Sequence, residues 1–92
     1  MLWLVAYDIC DPKRLRQVAT LCEDYGRRLQ YSVFLCACSF QAIDRLQGQA
    51  RSVMDLSCDR LVTLPICKGC LDQVRQHGPS MALPGTTDTL IV

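Results

Sequence analysis

With 92 residues, the chain has room for one hydrophobic core, which excludes a two-domain cleft enzyme and places any site on a shallow surface or between two chains. Apolar residues make up 50% and charged residues 21%, the balance of an ordinary globular domain rather than a disordered segment. The net charge of +1 excludes a uniformly basic surface, but five of the ten basic residues (Lys13, Arg14, Arg16, Arg27 and Arg28) fall close together, opposed only by Glu23 and Asp24; Arg forks suit phosphate oxygens, so a local basic face is expected.

Leu2 to Tyr7 is a continuous apolar run containing Trp, Val and Tyr and ended by Asp8. It is too short for a helix, or for a membrane span of about 20 residues, and predicts a buried strand. No basic flank precedes it and no small-residue cleavage site follows, so a secretory signal is not expected and the cytoplasm is the expected compartment. Along the strand Leu2, Leu4 and Ala6 point one way and Trp3, Val5 and Tyr7 the other. Both faces need burial, and a sheet from a second copy would cover the one that helices leave bare, so a sheet-to-sheet homodimer is expected.

Asp11-Pro12 opens a helix, because Asp can accept from free N–H groups at the cap and Pro at the first helical position forfeits no bond. Leu15, Val18, Ala19, Cys22 and Tyr25 recur at helical spacing, and Gly26 is expected to stop the helix in the left-handed conformation. Arg28 to Cys38 is rich in aromatic and β-branched residues and reads as two strands turning at Tyr31-Ser32. A second helix is expected from Ser39 to about Asp55, with Ile43, Leu46, Ala50, Val53 and Met54 inward. Asp59 to Ile66 predicts another strand, Cys67 to Cys70 a turn, and Leu71 to His77 fits no single element. The order strand, helix, strand pair, helix, strand predicts an α+β fold, the ferredoxin-like βαββαβ sandwich, over residues 1–77. Residues 78–92, polar and punctuated by Pro and Gly up to Thr87, are expected to form a C-terminal arm with a short closing strand at Thr89 to Val92.

Asp8 is the first carboxylate, after seven uncharged residues. It either ends the strand and helps to cap the helix, or it meets its own copy across a two-fold axis and holds Mg²⁺, which takes one or two carboxylates plus waters and phosphate oxygens. Lys13, Arg14 and Arg16 lie in the first turns of a helix, where the dipole favours anions; a bound phosphate would reconcile the two, and a solvated basic face is the plainer alternative. Arg27 and Arg28 beside Tyr31 and Phe34 add aromatic interleaving suited to nucleic acid. Seven cysteines cannot all pair within one chain, and without an export signal reduced thiols are expected. Cys67-Lys68-Gly69-Cys70 has zinc-knuckle and redox spacing, with Cys36 and Cys38 as further thiols, but those two would lie about 6 to 7 Å apart on one strand face. Core thiols and a turn are the preferred reading, with no zinc. His77, beside Gly78-Pro79, reads as a loop residue.

The run Leu4-Val5-Ala6-Tyr7-Asp8-Ile9, followed by Asp11-Pro12-Lys13-Arg14-Leu15-Arg16, Tyr25-Gly26 and Arg28-Leu29-Gln30-Tyr31-Ser32-Val33-Phe34, resembles one family. It is the small CRISPR-associated adaptation protein, the second of the two universal spacer-acquisition proteins, often described as an endoribonuclease. The likeness covers residues 2 to 38 and continues more loosely to 75. It implies a ferredoxin-like homodimer in which Asp8 lies near its counterpart and binds Mg²⁺ or Mn²⁺ for hydrolysis of RNA or DNA. It also implies catalytic parts for Tyr7, Arg28 and Phe34, and a dimer that bridges CRISPR integrase dimers along duplex DNA, with single-stranded RNA as a further ligand. Lys13, Arg14, Arg16, Arg27 and Arg28 are the expected nucleic-acid contacts. An mRNA-cleaving toxin ribonuclease on the same fold is the alternative. The polar segment Asp72 to His77 and the number of cysteines depart from the family pattern.

Overall fold

The computed structural model describes residues 1–79. The chain runs β1 (Leu2–Asp8), α1 (Pro12–Tyr25), β2 (Arg27–Gln30), β3 (Val33–Ala37), α2 (Phe40–Val53), β4 (Arg60–Ile66) and α3 (Lys68–Leu71). Four strands form one sheet in the order β2-β3-β1-β4, with antiparallel neighbours throughout. This is the ferredoxin-like arrangement, and its central strand β1 carries the longest apolar run. The expected closing strand at Thr89 to Val92 lies outside the described residues.

Local chemistry accounts for the helix starts. The Asp11 carboxylate accepts from the Arg14 N–H at 3.0 Å, with Pro12 at the first helical position. The Ser39 hydroxyl accepts from the Ala42 N–H at 3.1 Å and starts α2 in the same way. Val18 and Cys22 of α1 and Ile43, Leu46 and Ala50 of α2 are buried. These residues cover the sheet face carrying Trp3, Val5, Tyr7, Phe34 and Cys36. Cys36 is a core residue, as expected, and Cys38 packs half-buried at the core's margin. Burial pushes the thiols of Cys22 and Cys36 up to about 12 and about 11 respectively, so both remain protonated at neutral pH.

Two sequence expectations are corrected. Gly26 does end α1, its N–H donating to the Cys22 carbonyl at 3.0 Å, but it does so at φ −164°, which is extended and open to any residue. A glycine is needed there for space: a Cβ would run into the carbonyl oxygen of Leu35 and come within 2.6 Å of Cys36 Sγ. Cys67 to Cys70 is a helical turn rather than a simple turn, because Cys67 caps α3 by accepting from the Cys70 N–H.

The opposite face of the sheet has no helix layer. Its row on β1, Leu2, Leu4, Ala6 and Asp8, lies beside Ala37, Leu35 and Val33 on β3 and beside Ile66, Leu64, Val62 and Arg60 on β4. At one end Leu71 of α3 packs with Leu2 and Leu35, joined by the half-buried Leu29, Ile66 and Val74. The segment Leu71 to His77, which fitted no single element in the sequence, therefore covers part of this face through Leu71 and Val74. Cover stops short of the Asp8 end, where Val62 and Leu64 stand 56% and 55% exposed.

Candidate functional site

Asp8 is the last residue of β1. By strand alternation it shares the open face with Leu4 and Ala6, and it stands exposed. Directly across the ladder is Arg60, the first residue of β4. No side-chain hydrogen bond or ion pair engages the Asp8 carboxylate among the described residues. A free carboxylate at the rim of an uncovered apolar sheet is a donor of the type that Mg²⁺ or Mn²⁺ takes, and a second copy laid on this face would bring another.

Two residues on, the chain is fixed by a carboxylate that local sequence does not single out. Asp59, whose side chain is wholly buried, accepts from the Cys10 N–H at 2.9 Å, the Asp55 N–H at 2.8 Å and Arg14 Nε at 2.8 Å, with Arg14 Nη2 at 3.3 Å. It ties the β1–α1 loop, helix α1 and the α2–β4 loop to one point beside Asp8. The Arg14 guanidinium and these N–H groups hold its carboxyl well below the usual carboxylate range, and the same bond raises Arg14 above its ordinary value. The sequence signal was only an acidic residue opening the expected strand Asp59 to Ile66; its partner Arg14 lies 45 residues away.

Cys10, Cys58 and Asp59 place their ligand atoms within 4.8 Å of one another. The geometry nevertheless disfavours a metal ion. Both Asp59 oxygens already accept from Arg14, whose Nη2 also lies 3.7 Å from Cys58 Sγ. The guanidinium fills the cationic position. Hydrogen bonding with Cys10, together with burial, pushes the Cys58 thiol up to about 11, away from the thiolate that a metal needs.

The other expected site residues fall into separate groups. Tyr7 and Phe34 lie on the helix side, their rings stacked with centroids 6.2 Å apart, and the Arg28 guanidinium lies 5.0 Å from the Phe34 centroid. Arg28 is held by a 2.6 Å bond to the Tyr31 carbonyl and by Glu23 at 3.8 Å. The Tyr7 hydroxyl is buried without a hydrogen-bond partner among the described residues, and burial raises its pKa. These three residues form one stack, on the face opposite Asp8. Lys13 and Arg16 are exposed on α1 and line a groove shared with Gln49, Ser52 and Val53 of α2. Arg27 is exposed opposite Leu35, and Arg14 is engaged by Asp59. The five basic residues do not form a single face.

The fold and site together define a small ferredoxin-like protein with a lone acidic residue at the end of its central strand and an uncovered sheet face beside it. Residues 1–74 match the family model of the CRISPR associated protein Cas2. The chain is 40% identical over 84 residues to the CRISPR-associated endoribonuclease Cas2 3 of Synechocystis, covering 90% of this chain and 91% of that protein. It is 31% identical to the CRISPR-associated endoribonuclease Cas2 1 of Chloroflexus aurantiacus over the full length of both. The crystal structure of Streptococcus pyogenes Cas2 at pH 6.5 superposes with a TM-score of 0.77 and 34% identity, over 85% of this chain and all of that one. The chain belongs to the Cas2 family. No helix among the described residues is long and apolar enough to cross a membrane.

Proposed function

We propose that this chain is a spacer-acquisition protein that works as a homodimer, docking sheet to sheet, and serves chiefly as a scaffold along duplex DNA between CRISPR integrase dimers. Phosphodiester hydrolysis dependent on Mg²⁺ or Mn²⁺ is its second property. The observation that carries the reading is the uncovered apolar sheet face that ends in Asp8, with Val62 and Leu64 more than half exposed beside it. Exposed apolar residues in a contiguous row are a docking surface rather than a solvent face. The relatives' names support the chemistry and leave its substrate open, since the Synechocystis protein is named an endoribonuclease and a Thermus thermophilus relative an endonuclease.

In such a dimer the Asp8 carboxylates of the two copies would hold the cation, and a bound cation would supply charge stabilisation at a phosphate and a more acidic water. Arg60, opposite Asp8 in the ladder, would supply a guanidinium to a phosphate bound there. The Asp59 clamp fixes the loop after Asp8 and so holds the carboxylate in place. Lys13 and Arg16, with no partner engaging their side-chain charges among the described residues, provide backbone contacts that read no sequence. One carboxylate per chain is sparse catalytic equipment, which is why the scaffold is placed first. The test is the mass of wild type and Leu64→Asp by light scattering, alongside cleavage of RNA and duplex DNA with Mg²⁺. A dimeric wild type, and a folded, monomeric and inactive variant, are expected; an equally dimeric and active Leu64→Asp would refute the interface.

A further inference from the structure

The Cys-x-x-Cys turn is not needed for any of this. Cys67 and Cys70 are both exposed, and their sulfurs lie 3.4 Å apart and share a hydrogen bond. The Cys70 N–H is directed at Cys67 Sγ, at 3.4 Å. Two thiols at this separation in one helical turn close a ring without rearranging the backbone around them. Among the described residues the exposed Cys10 and Cys58 also lie close, Cys10 Sγ donating to the Cys58 carbonyl at 3.2 Å. Cys22 and Cys36 are sealed in the core.

We infer that Cys67 and Cys70 form a thiol–disulfide exchange site that accepts small-molecule disulfides of the glutathione class, with Cys67 as the attacking sulfur. The two sulfurs differ in the way this chemistry needs. The Cys70 N–H lowers the pKa of Cys67, and Cys67 raises that of Cys70, so the thiolate collects on Cys67. The Cys67 thiolate attacks one sulfur of glutathione disulfide, forming a mixed disulfide and expelling one glutathione thiolate. Cys70 then loses its proton to solvent and attacks Cys67 Sγ, forming the protein disulfide and expelling the second glutathione thiolate. Two protein thiols are oxidised, and one glutathione disulfide is reduced to two thiols. Cys58, with its thiol pushed up to about 11, does not compete.

The test treats the whole reduced chain with glutathione disulfide at pH 7, quenches with acid, and maps disulfides by alkylation and peptide mass spectrometry. The expected first product is the Cys67–Cys70 disulfide, and Cys67 should alkylate about tenfold or more faster than Cys58. In Cys70→Ser the mixed disulfide should accumulate on Cys67, and in Cys67→Ser the exchange should be lost while circular dichroism is unchanged. A first disulfide between Cys10 and Cys58, capture of glutathione by Cys70 in preference to Cys67, or no Cys67–Cys70 disulfide in excess oxidant would each overturn the assignment.

Discussion

Arg14 Nε donates to Asp59 Oδ2 at 2.8 Å, and through this bond a helix read from sequence as a nucleic-acid face is anchored to the start of β4. Arg14→Met leaves a buried carboxylate without its counter-charge, and Asp59→Asn removes the charge that draws in the N–H groups of Cys10, Asp55 and Arg14. Both are expected to lower the thermal midpoint at pH 7. The pH dependence has a defined sign. Asp59 is depressed in the folded chain from an ordinary value near 3.8, so its contribution is complete above that value and is lost as pH falls below it. Melts from pH 7 to 2 should show wild type losing its advantage over Asp59→Asn below about pH 4. Parallel curves would count against the clamp.

Two glycines should respond in opposite directions to the same change. Gly26→Ala forces a methyl group onto Leu35 and Cys36 and should cost about 1 to 3 kcal/mol. Gly48 lies within α2, where an added methyl group meets nothing within 4 Å, so Gly48→Ala should add about 0.5 to 1 kcal/mol. Urea titrations of the two variants give both numbers.

Tyr7 carries a buried hydroxyl with no hydrogen-bond partner among the described residues. Tyr7→Phe should therefore leave stability unchanged or raise it by about 1 kcal/mol. Phe34→Ala, in contrast, empties a fully buried position and should cost about 3 to 5 kcal/mol. Cleavage assays on both, read beside their melts, separate a catalytic part from a packing one: a stable Tyr7→Phe with lost cleavage assigns the hydroxyl to the chemistry.

Reversing charge at Lys13 and Arg16 should weaken duplex DNA binding and flatten its dependence on salt, the slope falling by about one for each phosphate no longer neutralised. Arg14→Met should leave that slope closer to wild type, because its guanidinium already has a carboxylate. Fluorescence anisotropy across a salt series distinguishes them.

The helix cap at Asp11, the start of α2 at Ser39, the turn at Tyr31-Ser32 and the two faces of β1 were legible because each depends on neighbours a few residues apart. Asp8 was legible as the first charge after an apolar run. Asp59 was not, because its significance comes from Arg14 and Cys10, distant in the chain and joined only by the fold. Gly26 shows the same limit: the residue was identified as a helix stop, but the reason, the approach of Leu35 and Cys36, belongs to tertiary packing. The basic cluster looked unified along the sequence and is divided in space, since Arg27 and Arg28 alternate across a strand and Arg14 turns toward β4.

The most direct test of the central claim is spacer integration by Asp8→Ala with the partner integrase, measured on the same preparation whose Mg²⁺-dependent cleavage is assayed. A scaffold with an accessory metal site predicts integration close to wild type and cleavage abolished. Integration lost together with cleavage, from a variant that remains dimeric, would contradict it.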